Sequence, residues 1–171
     1  MDIDWESAHH ELLQFLIHEV KEYLSFDPNS TFYALALDIE FDHLRVSIAL
    51  NTIAKHERIL KQYYLGDETN SEEKFDIKYN TGDWEDGIFA NKFLVDSETF
   101  DNFTRVASDE QVESVNAKFR ATAWSVLKKF VDTNEYESIP KVRPFVAFVI
   151  DHDEEVEDAL RLAKEAGTSE L

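Results

Sequence analysis

The fold turns on two neighbouring stretches, Thr31-Phe32-Tyr33-Ala34-Leu35-Ala36-Leu37-Asp38 and Leu44-Arg45-Val46-Ser47-Ile48-Ala49-Leu50. The second alternates. Leu44, Val46, Ile48 and Leu50 point one way and Arg45 and Ser47 the other, the period-two signature of a strand. The link Asp38–His43 is short enough for an antiparallel hairpin, although it is not a two-residue turn. A hairpin excludes a purely parallel sheet and favours the α+β class.

Outward from this pair, residues 5–24 carry Trp5, Ala8, Leu12, Leu16, Val20 and Leu24 at helical spacing, widened by Leu13, Phe15 and Ile17. Asp4 is placed to cap that helix, and Asp27-Pro28-Asn29 breaks it. Residues 53–64 read as a helix stopped by Gly66, and 67–74 as a polar loop. Residues 75–80 alternate and read as a third strand. Residues 81–107 read as a short helix or two with loops. Ser108 and Gln111 form a capping box, opening a long helix to about Val131 with Val112, Val115, Phe119, Val126 and Phe130 on its core stripe. Residues 143–150 form the last strand, with Val146, Phe148 and Ile150 on one face and Phe145 and Val149 on the other. An acidic helix over 154–166 ends before Gly167. The expected architecture is a mainly antiparallel sheet of about four strands packed against helices, one α+β domain over residues 1–171.

Composition narrows the function. The 171 residues include no cysteine, which removes disulfides, thiolate zinc sites and cysteine nucleophiles. The start Met1-Asp2-Ile3-Asp4-Trp5-Glu6 lacks the basic, then apolar, pattern of a secretory signal, and no stretch has the length of a membrane span. A cytoplasmic location is expected. The net charge is −19, with −10 in residues 67–113 and +3 in residues 114–150. Such a surface repels nucleic-acid phosphates and anionic membranes, and it attracts basic proteins.

No chemistry-bearing motif stands out. Glycines at 66, 82, 87 and 167 are too dispersed to cradle a phosphate. Asp151 and Asp153, within Asp151-His152-Asp153-Glu154-Glu155, are candidate ligands for Mg²⁺ or Ca²⁺, but Val156 stands where a calcium loop needs glycine. Acids at a helix start also stabilise its dipole, which explains the run without a metal. His18 and Glu22 share a helix face and offer half a zinc site. His10 lies two turns away, roughly 12 Å, so a surface ion pair explains them better. No cofactor is expected.

The stretch Lys78-Tyr79-Asn80-Thr81-Gly82-Asp83-Trp84-Glu85-Asp86-Gly87 carries the most information. Trp84 reads either as a core tryptophan or as an aromatic anchor in an acidic rim. On the second reading the partner-binding residues are Glu72, Glu73, Asp83, Trp84, Glu85 and Asp86.

With Tyr33-Ala34-Leu35-Ala36-Leu37, Asn51-Thr52 and the strand end Val149-Ile150-Asp151, this stretch resembles the bacterial domain-of-unknown-function family numbered 4303. That family shows a basic–aromatic pair, a short polar turn, then Asp-Trp. Here Lys78 and Tyr79 take the first places, where Arg and Trp are commoner, and Asp83 and Trp84 the last. The resemblance spans roughly residues 5–160. It implies an immunity-like protein of a polymorphic toxin system, with no established enzymatic activity. The expected function is thus an acidic cytoplasmic binding protein, most concretely one that neutralises a toxin. The alternatives are a small metal-dependent hydrolase built on clustered carboxylates and an uncharacterised housekeeping protein.

Overall fold

The computed structural model describes residues 1–63, 71–85, 87–151 and 153–171. Helix α1 spans Trp5–Phe26, with Asp4 accepting from the Ser7 backbone N–H and Leu12, Leu16 and Val20 buried. Strands β1 (Phe32–Glu40) and β2 (Arg45–Asn51) follow as the expected antiparallel hairpin. Leu44 is not in the strand. It takes a left-handed φ of 44° in the turn while its side chain stays buried.

Helix α2 spans Ile53–Tyr63 and α3 spans Ser71–Tyr79. A single 3-10 turn, Thr81–Asp83, leads towards β3, Ile88–Phe93. Then come α4 (Ser97–Thr104), the long α5 (Asp109–Phe130), the one-turn α6 (Asn134–Glu137), β4 (Lys141–Asp151) and α7 (Val156–Ala166). The reciprocal Ser108–Gln111 capping box is present at the start of α5, and Gly167 ends α7 in the left-handed conformation.

The strands form one open sheet in the order β3-β2-β1-β4. The sheet is mixed and not mainly antiparallel, because β1 pairs with β4 in parallel. The hairpin signal speaks only for strands adjacent in sequence. A parallel pair needs a long crossover, and here the whole chain between β1 and β4 supplies it.

Residues 75–80 form no strand. Residues 75–79 close α3, where Phe75 and Tyr79, one turn apart, bring their rings to 5.2 Å, and Asn80 caps the 3-10 turn. A six-residue apolar alternation does not distinguish the two periods. The third strand is β3, and its alternation is broken. Ile48 faces Ala90 while Ala49 faces Ile88, so Phe89 is the extra residue of a bulge.

Two cores result. On one face of the sheet, Leu35, Leu37, Ile39, Val46, Ile48, Leu50, Phe145, Ala147 and Val149 meet α1 and α5 through Leu12, Leu16, Phe119, Val126 and Phe130. On the other, Ala34, Ala36, Ala49, Val146, Phe148 and Ile150 meet α7, Tyr79 and Trp84. The β4 side chains therefore divide between faces as their alternation requires. A register shift between Phe32 and Ala34 lets Tyr33 join the second core. The alanines of this second face leave room for large rings, which the close-packed interior then fills.

Replacing Phe119, fully buried on α5, by alanine should lower unfolding free energy by about 3–5 kcal/mol in denaturant titrations. Phe26→Ala, at a position 83% exposed, should leave stability within about 0.5 kcal/mol of the parent.

Candidate functional site

The second core ends in a polar knot centred on the backbone carbonyl of Lys78. Strand β1 brings Tyr33, whose hydroxyl donates to that carbonyl at 2.5 Å. Trp84, beyond the 3-10 turn, donates its indole N–H to the same oxygen at 2.9 Å. The carbonyl lies in the last turn of α3, where no intrahelical donor reaches it, so side chains must satisfy it. From the end of β2, Asn51 donates its amide to the Tyr33 hydroxyl at 3.0 Å. The Asn51 carbonyl oxygen in turn accepts from the Thr52 N–H at 2.8 Å.

The turn is pinned separately. Asn80 accepts from the Gly82 N–H at 2.9 Å, and the Thr81 hydroxyl donates to Asp38 of β1 at 2.5 Å. Around these bonds the rings of Tyr33, Tyr79, Trp84 and Phe148 meet edge-on, with centroids 5.9–6.4 Å apart. Lys78 lays its ammonium group 5.1 Å from the Tyr33 ring centroid and 5.2 Å from that of Tyr79. Gly87 completes the knot, because a β-carbon there would come within 2.6 Å of the Trp84 β-carbon.

The electrostatics match a structural knot. Burial pushes the Tyr33 hydroxyl far up, reinforced by Tyr79 and only partly opposed by Asn51, so it remains a neutral donor. Burial pulls Lys78 down. It also pulls His56 of α2 down, with Lys78 adding to the effect. Asp83 is pushed up by burial. Asp76 is pushed up by burial first, then by the like charges of Glu157 on α7 and Glu73 on its own helix.

The six residues expected to bind a partner divide. Trp84 is 6% exposed and belongs to the core, so its ring is not an exposed anchor. Glu73 is exposed on α3, and Asp83 is half-buried in the turn. Glu85 reaches across to Arg58 of α2 at 2.5 Å. The Glu72 side chain and Asp86 lie outside the described residues.

The candidate metal ligands Asp151 and Asp153 line a hollow of about 240 Å³ with Glu40, Phe41, Asp42 and Asn116. Arg120 of α5 contacts Asp151 at 3.3 Å and Glu154 at 2.8 Å. Among the described residues no three histidine or acidic side chains are grouped to hold a metal ion. His18 and Glu22 are both exposed on α1. Sequence reasoning did not find the roles of Tyr33, Asn51 and Arg120. Only the apolar run of β1, buried on both faces, hints that a tyrosine hydroxyl there is buried. Nothing marks Arg120 as the partner of acids 31 and 34 residues away.

A family model described as a domain of unknown function (DUF4303) matches residues 12–166, and the chain belongs to that family. No curated protein and no solved structure matches the chain.

Tyr33→Phe removes one donor from the Lys78 carbonyl and the acceptor from Asn51. It should cost about 1–3 kcal/mol by denaturant unfolding and alter the near-ultraviolet circular dichroism of Trp84. Mg²⁺ or Ca²⁺ should produce no rise in melting temperature that Asp151→Asn together with Asp153→Asn abolishes, since an ion bound to the folded state would stabilise it by mass action.

Proposed function

We propose that this member of the DUF4303 family is an acidic binding protein whose partner is a basic protein, most concretely an immunity-type protein that neutralises a toxin in the cytoplasm. The carrying observation is the gathering of acids around α3, where Asp76, pushed up first by burial, is pushed further by the like charges of Glu157 on α7 and Glu73 on its own helix. Crowded carboxylates at a surface repel one another, and a partner's cations relieve that repulsion on docking. The aromatic knot beneath holds α3 and the turn in place, so little ordering is needed when a partner arrives.

Two further features support the reading. Residues 67–113 carry −10 of the −19 total, a field that speeds encounter with a basic molecule. Toxins that cleave nucleic acids are basic where they hold phosphate, and an acidic inhibitor can occupy that surface. A carboxylate hydrolase at Asp151 is disfavoured, because Arg120 already engages Asp151 and Glu154. Among the described residues no helix is long and apolar enough to cross a membrane.

The test compares a cognate basic toxin with an unrelated basic protein of equal charge in stopped-flow association. With the toxin, association should slow markedly between low and physiological salt. Reversing Glu73, Asp83 and Glu85 to lysine should slow association more than it speeds dissociation. Equal affinity and equal salt slopes for both proteins would leave only non-specific attraction.

A further inference from the structure

The two edges of the sheet are treated differently. At β4 the C-terminal tail lies along the strand. The Ala147 N–H donates to the Thr168 carbonyl at 2.9 Å, the Glu170 N–H to the Phe145 carbonyl at 3.0 Å, and Val146 bridges Ser169. At the other edge, β3 pairs with β2 alone among the described residues.

The register shows which groups β3 leaves outward. Leu94 donates to the Leu44 carbonyl at 3.1 Å, and Lys92 and Ala90 stand opposite Val46 and Ile48. In an antiparallel ladder only alternate residues exchange bonds with the neighbour. Asn91 and Phe93 therefore direct their N–H and C=O groups away from β2. Ile88 and Phe93 are each 47% exposed. They stand opposite Ala49 and Arg45, on the sheet face that also carries the aromatic knot.

Common protections of an edge are weak here. Proline is absent from β3. Its one lysine is drawn back onto α1, where Lys92 meets Glu11 at 3.4 Å and lies 6.0 Å from the Phe15 ring centroid. The bulge at Phe89 lies in the first half of the strand and leaves the second half regularly paired.

The flanks are acidic. Asp83 precedes β3 and Asp96 and Glu98 follow it, each within five residues of a strand end, while Glu85, also upstream, is already paired with Arg58. Asp96 is held below the usual carboxylate range by the Thr99 backbone N–H and hydroxyl, so it stays charged. A second copy of this chain would bring another charge of −19 to the same flanks, which disfavours self-pairing.

From the open β3 edge with its exposed Ile88 and Phe93 between acidic flanks, we infer that this edge receives an extended, basic segment of a partner protein as an added strand. Backbone bonds to Asn91 and Phe93 hold the segment, Ile88 and Phe93 pack against its apolar side chains, and the flanking carboxylates meet its cations. The inference rests on the binding reading above for the charge of the partner, but its geometry does not.

The test uses a peptide of about ten residues alternating Lys and Val, long enough to span β3, with amide exchange followed by NMR. The peptide should bind and slow exchange at the Asn91 and Phe93 amides. Methylating alternate backbone nitrogens along its pairing edge should weaken binding about tenfold or more, because buried carbonyls lose their donors. Asn91→Pro should weaken binding similarly, since it removes an outward N–H and spares the ladder to β2. The methylated peptide keeps the test decisive if that variant unfolds.

Equal affinity for both peptides, or binding without protection at Asn91 and Phe93, overturns the added strand. Salt-sensitive binding would then survive, and the electrostatic reading with it. Equal protection by a Ser-for-Lys peptide overturns the basic partner and leaves the edge as a docking site. Protection that grows with protein concentration in the absence of peptide assigns the edge to a second copy and overturns the proposal.

Discussion

One carbonyl carries a disproportionate share of this architecture. The Lys78 oxygen, in the last turn of α3, accepts from Tyr33 on β1 and from Trp84 beyond the 3-10 turn. Left alone in a ring of aromatic side chains it would be a buried acceptor without a donor, at a cost of about 1–3 kcal/mol. With both donors in place, the end of α3 is fixed to the centre of the sheet and Trp84 is fixed over Phe148. The seat of Trp84 then determines how Gly87 passes, because their close approach leaves no space for a side chain there. Gly87 in turn accepts from the Leu50 N–H at 3.2 Å and delivers the chain into β3. The position of the third strand thus depends on a bond made by the first.

That chain of dependence explains what the sequence discloses. Strands buried on a regular face write their period into the residues, as β2 and β4 do. Long helices against a sheet write theirs, and α1 and α5 add caps at Asp4 and Ser108. Strand β3 writes nothing legible. It is an edge, it bulges at Phe89, and its exposed positions hold Ile88 and Phe93 where polar residues would signal the outer face. Helix α3 is too short to express its period, and Phe75, Ile77 and Tyr79 mimic a strand. The direction of β4 is likewise absent from local pattern, since alternation is the same for parallel and antiparallel neighbours. Within the candidate site, the acids were visible as composition. The knot was not, because it joins residues 33, 51, 78 and 84 through contacts that no spacing rule encodes.

The charge distribution has a cost that the fold manages unevenly. Arg120 ties Asp151 to Glu154, and Arg58 meets Glu85, so some acids are compensated where helices approach the sheet. Around α3 the acids crowd one another, and Asp76, raised first by burial, also registers Glu157 and Glu73. Exposed ion pairs contribute little to stability, so these arrangements speak more about which surfaces stay negative than about what holds the protein together. Stability comes from the two hydrophobic layers. The acids are therefore not what holds the fold together.

The directions of the shifted side chains also weigh against chemistry at the knot. A nucleophilic or basic tyrosine needs its hydroxyl drawn down towards neutrality, and burial drives Tyr33 the other way. Lys78 is drawn down, which in isolation suits an amine nucleophile, but its ammonium group rests against the rings of Tyr33 and Tyr79, a contact that favours the charged form. His56 is drawn down by burial and by Lys78, and its ring lies edge-on to Tyr33 at 6.2 Å. Burial is the largest cause for each of these groups, and the Tyr33 hydroxyl is spent on a backbone carbonyl. A site organised in this way fixes a surface. What that surface offers outward is charge around α3 and hydrogen-bonding backbone along β3, the two features on which the proposed recognition rests.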